Sequence, residues 1–189
     1  MYQKVLDEAI RELKRTSFRE LFKDEIQKQD DFVQDCTIDT DLEILIPDRY
    51  VENTAERLSL YSRLDNCKDD NDLKEFHQEM EDRFGPIPSS VEDLFTTVRC
   101  RRMAVELGFE RMVLKEDTLR CYFVNNPDSP YFESAVFNGL LHYVQTRTNK
   151  ARLKQTGRNF LLIVEDMMGM GKLYEWLNDM LSEIKKGID

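Results

Sequence analysis

The chain has 189 residues, 37 acidic and 27 basic side chains and a formal net charge of −10, and 41% of its residues are hydrophobic. This mixture excludes fibrous and low-complexity chains, and a chain of this length buries roughly 70% of its unfolded surface without disulfide staples. The acidic balance argues against a general DNA coat, which relies on Lys and Arg at phosphates. No apolar run reaches the roughly 18 residues of a membrane span, and Met1 opens no signal-peptide pattern, so a cytoplasmic protein is expected.

Val5, Leu6, Ala9, Ile10 and Leu13 recur at helical spacing and predict a helix from Tyr2 to about Arg15. Ser17 and Glu20 form a capping box for a second stretch carrying Phe18, Leu21, Phe22 and Ile26. Ile38, Leu42, Ile44 and Ile46 then alternate with Asp39, Asp41 and Glu43, a period of two that predicts a strand ended by Pro47.

Three helices follow. The first spans about Asn53 to Asn66 with Leu58, Tyr61 and Leu64 inward. The second spans about Asp72 to Phe84, with Leu73, Phe76, Met80 and Phe84 on one face and a Gly85-Pro86 stop. Phe84 is expected buried and Gly85 at positive φ. The third spans about Ser90 to Leu107, opened by a Ser89–Glu92 capping box and closed by Gly108.

Beyond Gly108 the pattern becomes β-rich. Met112 to Lys115 and Leu119 to Val124 read as a hairpin, and a helix runs from Pro130 to about Thr146. Ala151 to Gln155 and Phe160 to Glu165 flank Thr156-Gly157-Arg158-Asn159, a second hairpin. A last helix from about Gly171 to Lys186 buries Leu173, Trp176, Leu177, Met180, Leu181 and Ile184. The expected fold class is α+β: an N-terminal helical arm and a three-helix region, then a β-β-α-β-β-α unit with a mixed or antiparallel sheet.

Chemistry-bearing patterns are sparse. Cys36, Cys67, Cys100 and Cys121 are scattered, and His77 and His142 complete no zinc set, so free thiols and no metal are expected. Gly169-Met170-Gly171-Lys172 imitates a phosphate loop, but Asp166 and Leu173 stand where a glycine and a hydroxyl residue are needed. No catalytic residue and no cofactor are expected. Eight acids against three bases lie between Asp65 and Arg83; a solvated face is the plain reading and a protein-binding face the functional one. Glu79 and Asp82, spaced i, i+3, point the same way. Arg147, Lys150, Arg152, Lys154 and Arg158 run without an intervening acid and are candidate phosphate contacts. No aromatic is interleaved among them for base stacking.

Four segments occur in order: Ile46-Pro47-Asp48-Arg49-Tyr50-Val51, Arg57-Leu58-Ser59-Leu60-Tyr61-Ser62-Arg63-Leu64, Glu79-Met80-Glu81-Asp82-Arg83-Phe84-Gly85-Pro86-Ile87-Pro88 and Leu107-Gly108-Phe109. Together they closely resemble the C-terminal domain of bacterial transcription-repair coupling factors. The resemblance is strong from Ile46 to Phe109 and loose after Met112. It implies an autoinhibitory interaction domain of an ATP-driven double-stranded DNA translocase that displaces stalled RNA polymerase and recruits UvrA for nucleotide excision repair. It implies that residues 1–35 are an arm continuing from the upstream motor and 36–189 a single regulatory domain. In the family this domain docks on a UvrB-like module of the same polypeptide, hiding the UvrA-binding surface and restraining the motor. The docking role carries over to Glu79, Asp82 and Arg83, and a structural role to Phe84, Gly85 and Pro86. The alternative is a nucleic-acid-binding accessory module using residues 147–158.

Overall fold

Five α-helices and a five-stranded sheet make up residues 32–188, which this computed structural model describes. The helices expected between Tyr2 and Ile26 lie outside the described residues. Helices and strands coexist as the α+β reading requires, with the helices first and the sheet concentrated later in the chain.

The first three helices are α1 (Thr54–Asn66), α2 (Asp70–Phe84) and α3 (Ser89–Leu107). The Asn53 side chain starts α1 by accepting from the Glu56 N–H at 3.0 Å. Asp69 starts α2 by accepting from the N–H groups of Asn71 and Asp72. These caps satisfy donors that have no partner within the helix. Gly85 ends α2 at φ +88° and ψ −167°, a region glycine alone enters freely. The Ser89–Glu92 box does not form. Pro88 occupies the cap position and its carbonyl receives Val91 and Glu92 N–H, both at 3.0 Å. Ser89 is thus already inside α3, and Glu92 turns to His77 on α2, 2.7 Å away.

Ile46, Val51, Leu60, Leu64, Leu73, Phe76, Met80, Val91, Phe95 and Val98 form the core of this region. Leu58 is 64% exposed, not inward. It lies two positions from Leu60, about 200° of helix rotation away, so both cannot face the core. Phe84 is half-buried, not fully covered. As the last residue of α2 it has Tyr50 at one side, centroids 5.8 Å apart, and the Arg83 guanidinium 4.7 Å from its ring centre. Phe84→Ala should therefore cost about 1.5–2.5 kcal/mol, roughly half the figure for a fully buried phenylalanine. Denaturant titration checks this, and a loss near 5 kcal/mol would contradict it.

The sheet has the order β1-β2-β3-β5-β4. Its strands are β1 (Thr37–Thr40), β2 (Phe109–Lys115), β3 (Thr118–Phe123), β4 (Ala151–Thr156) and β5 (Asn159–Val164). Only the β1–β2 pair is parallel. The alternation up to Ile46 does not continue as strand, because β2 turns at Glu116-Asp117 and offers no partner past Leu114. The Asp41 carboxylate accepts Glu116 N–H at 3.0 Å there. The chain then crosses to the helical core, where buried Ile46 donates its N–H to the Tyr61 hydroxyl at 2.6 Å. Glu116 and Asp117 both have positive φ, as the two-residue turn joining β2 and β3 demands. Gly157, also at positive φ, serves the β4–β5 turn.

The helix expected from Pro130 divides in two. A single 3-10 turn covers Pro130–Glu133, and the Ser134 hydroxyl then accepts Phe137 N–H at 3.2 Å to open α4 (Ala135–Arg147). The final helix, α5 (Gly169–Ile188), begins two residues early. Its glycine-containing start is a helix entry: Met170 is buried and Lys172 donates to the Asp166 carbonyl at 2.5 Å. The inner sheet face carries buried Met112, Leu114, Leu119, Cys121, Phe123, Leu162 and Val164.

All four cysteines are free; Cys36, Cys100 and Cys121 are buried and Cys67 half-buried. Burial pushes the Cys36 and Cys100 thiols up to about 12. In native protein a disulfide reagent should find one fast thiol, Cys67, and three slow ones that react only on unfolding. A Cys67→Ser variant that keeps the fast phase would contradict this assignment.

Candidate functional site

The face of α2 opposite Leu73, Phe76 and Met80 carries Glu75, Gln78 and Asp82, and Glu79 and Arg83 lie on the flank toward α1. Helical spacing forces this separation, since the buried stripe recurs every three or four residues. Two tyrosines of the preceding segments hold the helix in place. The Tyr50 hydroxyl donates to the Gly85 carbonyl at 2.9 Å and lies 3.2 Å from that of Met80. Tyr61 receives Ile46, as above. Sequence reasoning passed over both hydroxyls, although Tyr50 and Tyr61 stand within the recognisable segments.

Glu79 is the electrostatic centre of this face. Arg63 of α1 grips it with two hydrogen bonds, Nη1 to Oε1 at 2.7 Å and Nη2 to Oε2 at 2.6 Å. Arg83, one turn further along α2, adds Nη1 to Oε1 at 3.2 Å and pairs through Nη2 with Glu56. The Arg63 guanidinium also rests 4.6 Å from the Phe76 ring centre. The hydrogen bonds from Arg63, then its charge and the bonds from Arg83, hold the Glu79 carboxyl down at about 2. A depressed carboxyl contributes stability that is whole above its ordinary value of 4.5 and is lost as pH falls toward 2. Arg63→Ala should return the Glu79 titration toward 4.5, read by carboxyl NMR. An unchanged midpoint would mean that Arg63 does not set it.

Asp82 is exposed, and among the described residues its Oδ1 accepts only from Gln78 Nε2, at 3.0 Å. The structure thus places Glu79, Asp82 and Arg83 side by side on α2, with Phe84, Gly85 and the exposed Pro86 forming the turn below it. Sequence reasoning missed Arg63 and Glu56. Arg63 stands within the recognisable Arg57–Leu64 segment, whereas Glu56 was signalled only by its place on the preceding helix.

The basic run is brought together less well. Arg147 pairs with Glu183 at 2.9 Å, Lys150 with Asp166 at 2.7 Å and Arg152 with Glu165 at 3.4 Å. Among the described residues, the side chains of Lys154 and Arg158 make no ion pair or hydrogen bond. Also among the described residues, no three of His, Cys, Asp and Glu are grouped to hold a metal ion, and no helix is long and apolar enough to cross a membrane.

The family model of the TRCF domain matches residues 40–134, which include all of α1, α2 and α3. A transcription-repair-coupling factor of Rickettsia bellii is 29% identical over 170 residues, covering 89% of this chain and 13% of that protein. That of Rickettsia conorii is 30% identical over 82% of this chain and 12% of its own length. That of Escherichia coli K12 is 25% identical over 98% of this chain and 15% of its own length. The chain therefore spans only a small part of these relatives. A crystal structure of the C-terminal domain of transcription-repair coupling factor shares the fold, with a TM-score of 0.63 at 17% identity, over 82% of this chain and 96% of that one. The chain belongs to the TRCF domain family and is similar over most of its length to the C-terminal domain of transcription-repair coupling factors.

Proposed function

We propose that this chain is the regulatory docking domain of a transcription-repair coupling factor. It seats the Glu79–Asp82 face of α2 on a UvrB-like module of the same polypeptide. Seated there, it masks the UvrA-binding surface and restrains the ATP-driven translocase that moves on double-stranded DNA and displaces stalled RNA polymerase. The observation that carries this reading is the paired carboxylate face, held on a rigid helix within the segment that matches the family. Carboxylates so placed suit an arginine-bearing partner, through bidentate charge-assisted bonds. Asp82 is open to such a partner, whereas Glu79 is already occupied by Arg63. An incoming arginine must share or displace that grip, which makes Arg63 the internal competitor of docking.

In this reading the chain itself turns over no ATP. Calorimetric titration of the isolated UvrB-like module with the chain tests the docking directly. Binding by the parent that is lost in Glu79→Ala/Asp82→Ala supports the reading. Equal binding by both removes these carboxylates from it.

A further inference from the structure

The outer face of the sheet regroups cations that the sequence keeps apart. Strand register puts Asp39, Val113, Arg120, Ile163 and Arg152 in one row across β1, β2, β3, β5 and β4. The adjacent row is Thr37, Arg111, Tyr122, Leu161 and Lys154. The alternate residues Leu119, Cys121 and Phe123 point into the core, so Arg120 and Tyr122 point away from it. Val113 and Ile163, each 8% exposed, floor the space between the long side chains. Arg111, Arg152 and Lys154 are exposed, and Arg120, Tyr122 and Leu161 are half-buried. Arg111 pairs with Asp39 at 2.7 Å and stands 5.6 Å from the Tyr122 ring centre. Among the described residues, the side chains of Arg120 and Lys154 make no ion pair or hydrogen bond.

The geometry points to a single-stranded nucleic-acid-binding surface on this outer face, formed by Arg111, Arg120, Tyr122, Leu161, Arg152 and Lys154. It is separate from the α2 face and does not depend on the docking reading. One row reads cation, aromatic, aliphatic, cation across neighbouring strands. From β2 to β4 it spans about 14 Å, three interstrand steps. A base laid flat on Tyr122 and Leu161 would have a cation on either side for its phosphates. Stacking of bases on sheet aromatics, with basic groups tracking the backbone, is how single strands are held without sequence choice. An acidic peptide would meet the charges but carries no base to fill the aromatic seat. DNA and RNA strands share this chemistry. The linear run from Arg147 to Arg158 hid the surface, because Arg111, Arg120 and Tyr122 come from a different hairpin.

The test is fluorescence anisotropy of the full chain with short labelled oligothymidine and oligouridine, at low and rising salt. Binding of at least one strand is expected, and which one separates DNA from RNA as the source. The logarithm of affinity should fall against the logarithm of salt with a slope of about −1.4 to −2.1, for two or three phosphates. Tyr122→Ala should weaken binding at least about fivefold, the lower end for one stacked base, while Tyr122→Phe, which keeps the ring, should bind like the parent. Arg120→Ala/Lys154→Ala should lose about tenfold or more, with the salt slope made shallower by about 1.4. Glu79→Ala/Asp82→Ala should leave this binding unchanged, which keeps its outcome apart from that of docking. The proposal is overturned by absence of binding at low salt, or by Tyr122→Ala and the double variant both binding like the parent. Tighter binding of a duplex of the same sequence, or of an oligoglutamate peptide, would also overturn it.

Discussion

Gly108→Ala is expected to destabilise the domain by about 2–5 kcal/mol, as much as the loss of a large core side chain. Two costs combine. Gly108 closes α3 at φ +87° and ψ 23°, a left-handed conformation that costs a residue with a Cβ about 1–2 kcal/mol. The added Cβ would also stand 2.1 Å from Tyr131 Cε2 and 2.4 Å from its Cζ, far inside contact distance. Tyr131 cannot yield easily. It is fully buried, donates its hydroxyl to the Leu107 carbonyl at 2.5 Å and packs against Phe123, Phe132 and Phe137. Overpacking of that kind costs about 1–3 kcal/mol. Gly85→Ala is the control. It has positive φ as well, but nothing lies within 4 Å of the added Cβ, so only backbone strain of about 1–3 kcal/mol applies. Urea titration of both variants should rank Gly108→Ala below Gly85→Ala. The reverse order would mean that the Tyr131 contact is not what holds the α3 end in place.

The second large effect is on docking. Replacing Glu79 and Asp82 together by alanine should change the isolated domain's stability by under about 1 kcal/mol, because the Arg63–Glu79 and Arg83–Glu79 pairs are solvent-exposed and screened. At an interface the same change leaves a partner arginine desolvated and alone, which costs about 2–5 kcal/mol. That is a thirtyfold or greater loss of docking. Arg63→Ala should act in the opposite direction. It frees Glu79 from its internal partner, and release from an exposed pair of this kind should tighten docking by about two- to fivefold. A weaker interface on removal of Arg63 would show that this arginine belongs to the docking surface and is not its competitor.

Local chemistry was legible in the sequence where one or two residues decide the backbone. Gly85 and Gly108 marked helix ends, and Glu116-Asp117 and Gly157 marked hairpin turns, each by its own conformational demands. Features fixed by a distant partner were not legible. β1 stops at Thr40 because β2 turns back, and no residue between Asp41 and Ile46 signals that. Pro130 opens only a 3-10 turn because the Ser134 cap takes over the helix start. The site divides in the same way. The common face of Glu79 and Asp82 follows from a period of 3.6. Its grip by Arg63, sixteen residues earlier, depends on how α1 packs beside α2. Which acids pair with the basic run was not legible, because Glu165, Asp166 and Glu183 come later in the chain and meet Lys150, Arg152 and Arg147 only in the fold.

The carboxylate face of α2 is proposed to hold the coupling factor closed. The direct measurement is UvrA binding and ATP turnover by the full-length coupling factor carrying this domain, for the parent and Glu79→Ala/Asp82→Ala, beside melting curves of the isolated domains. Matching melting curves with raised UvrA binding and faster ATP turnover in the variant are expected of such a latch. Matching melting curves with both activities equal to the parent would contradict it and leave Glu79 and Asp82 as part of an ordinary solvated helix face.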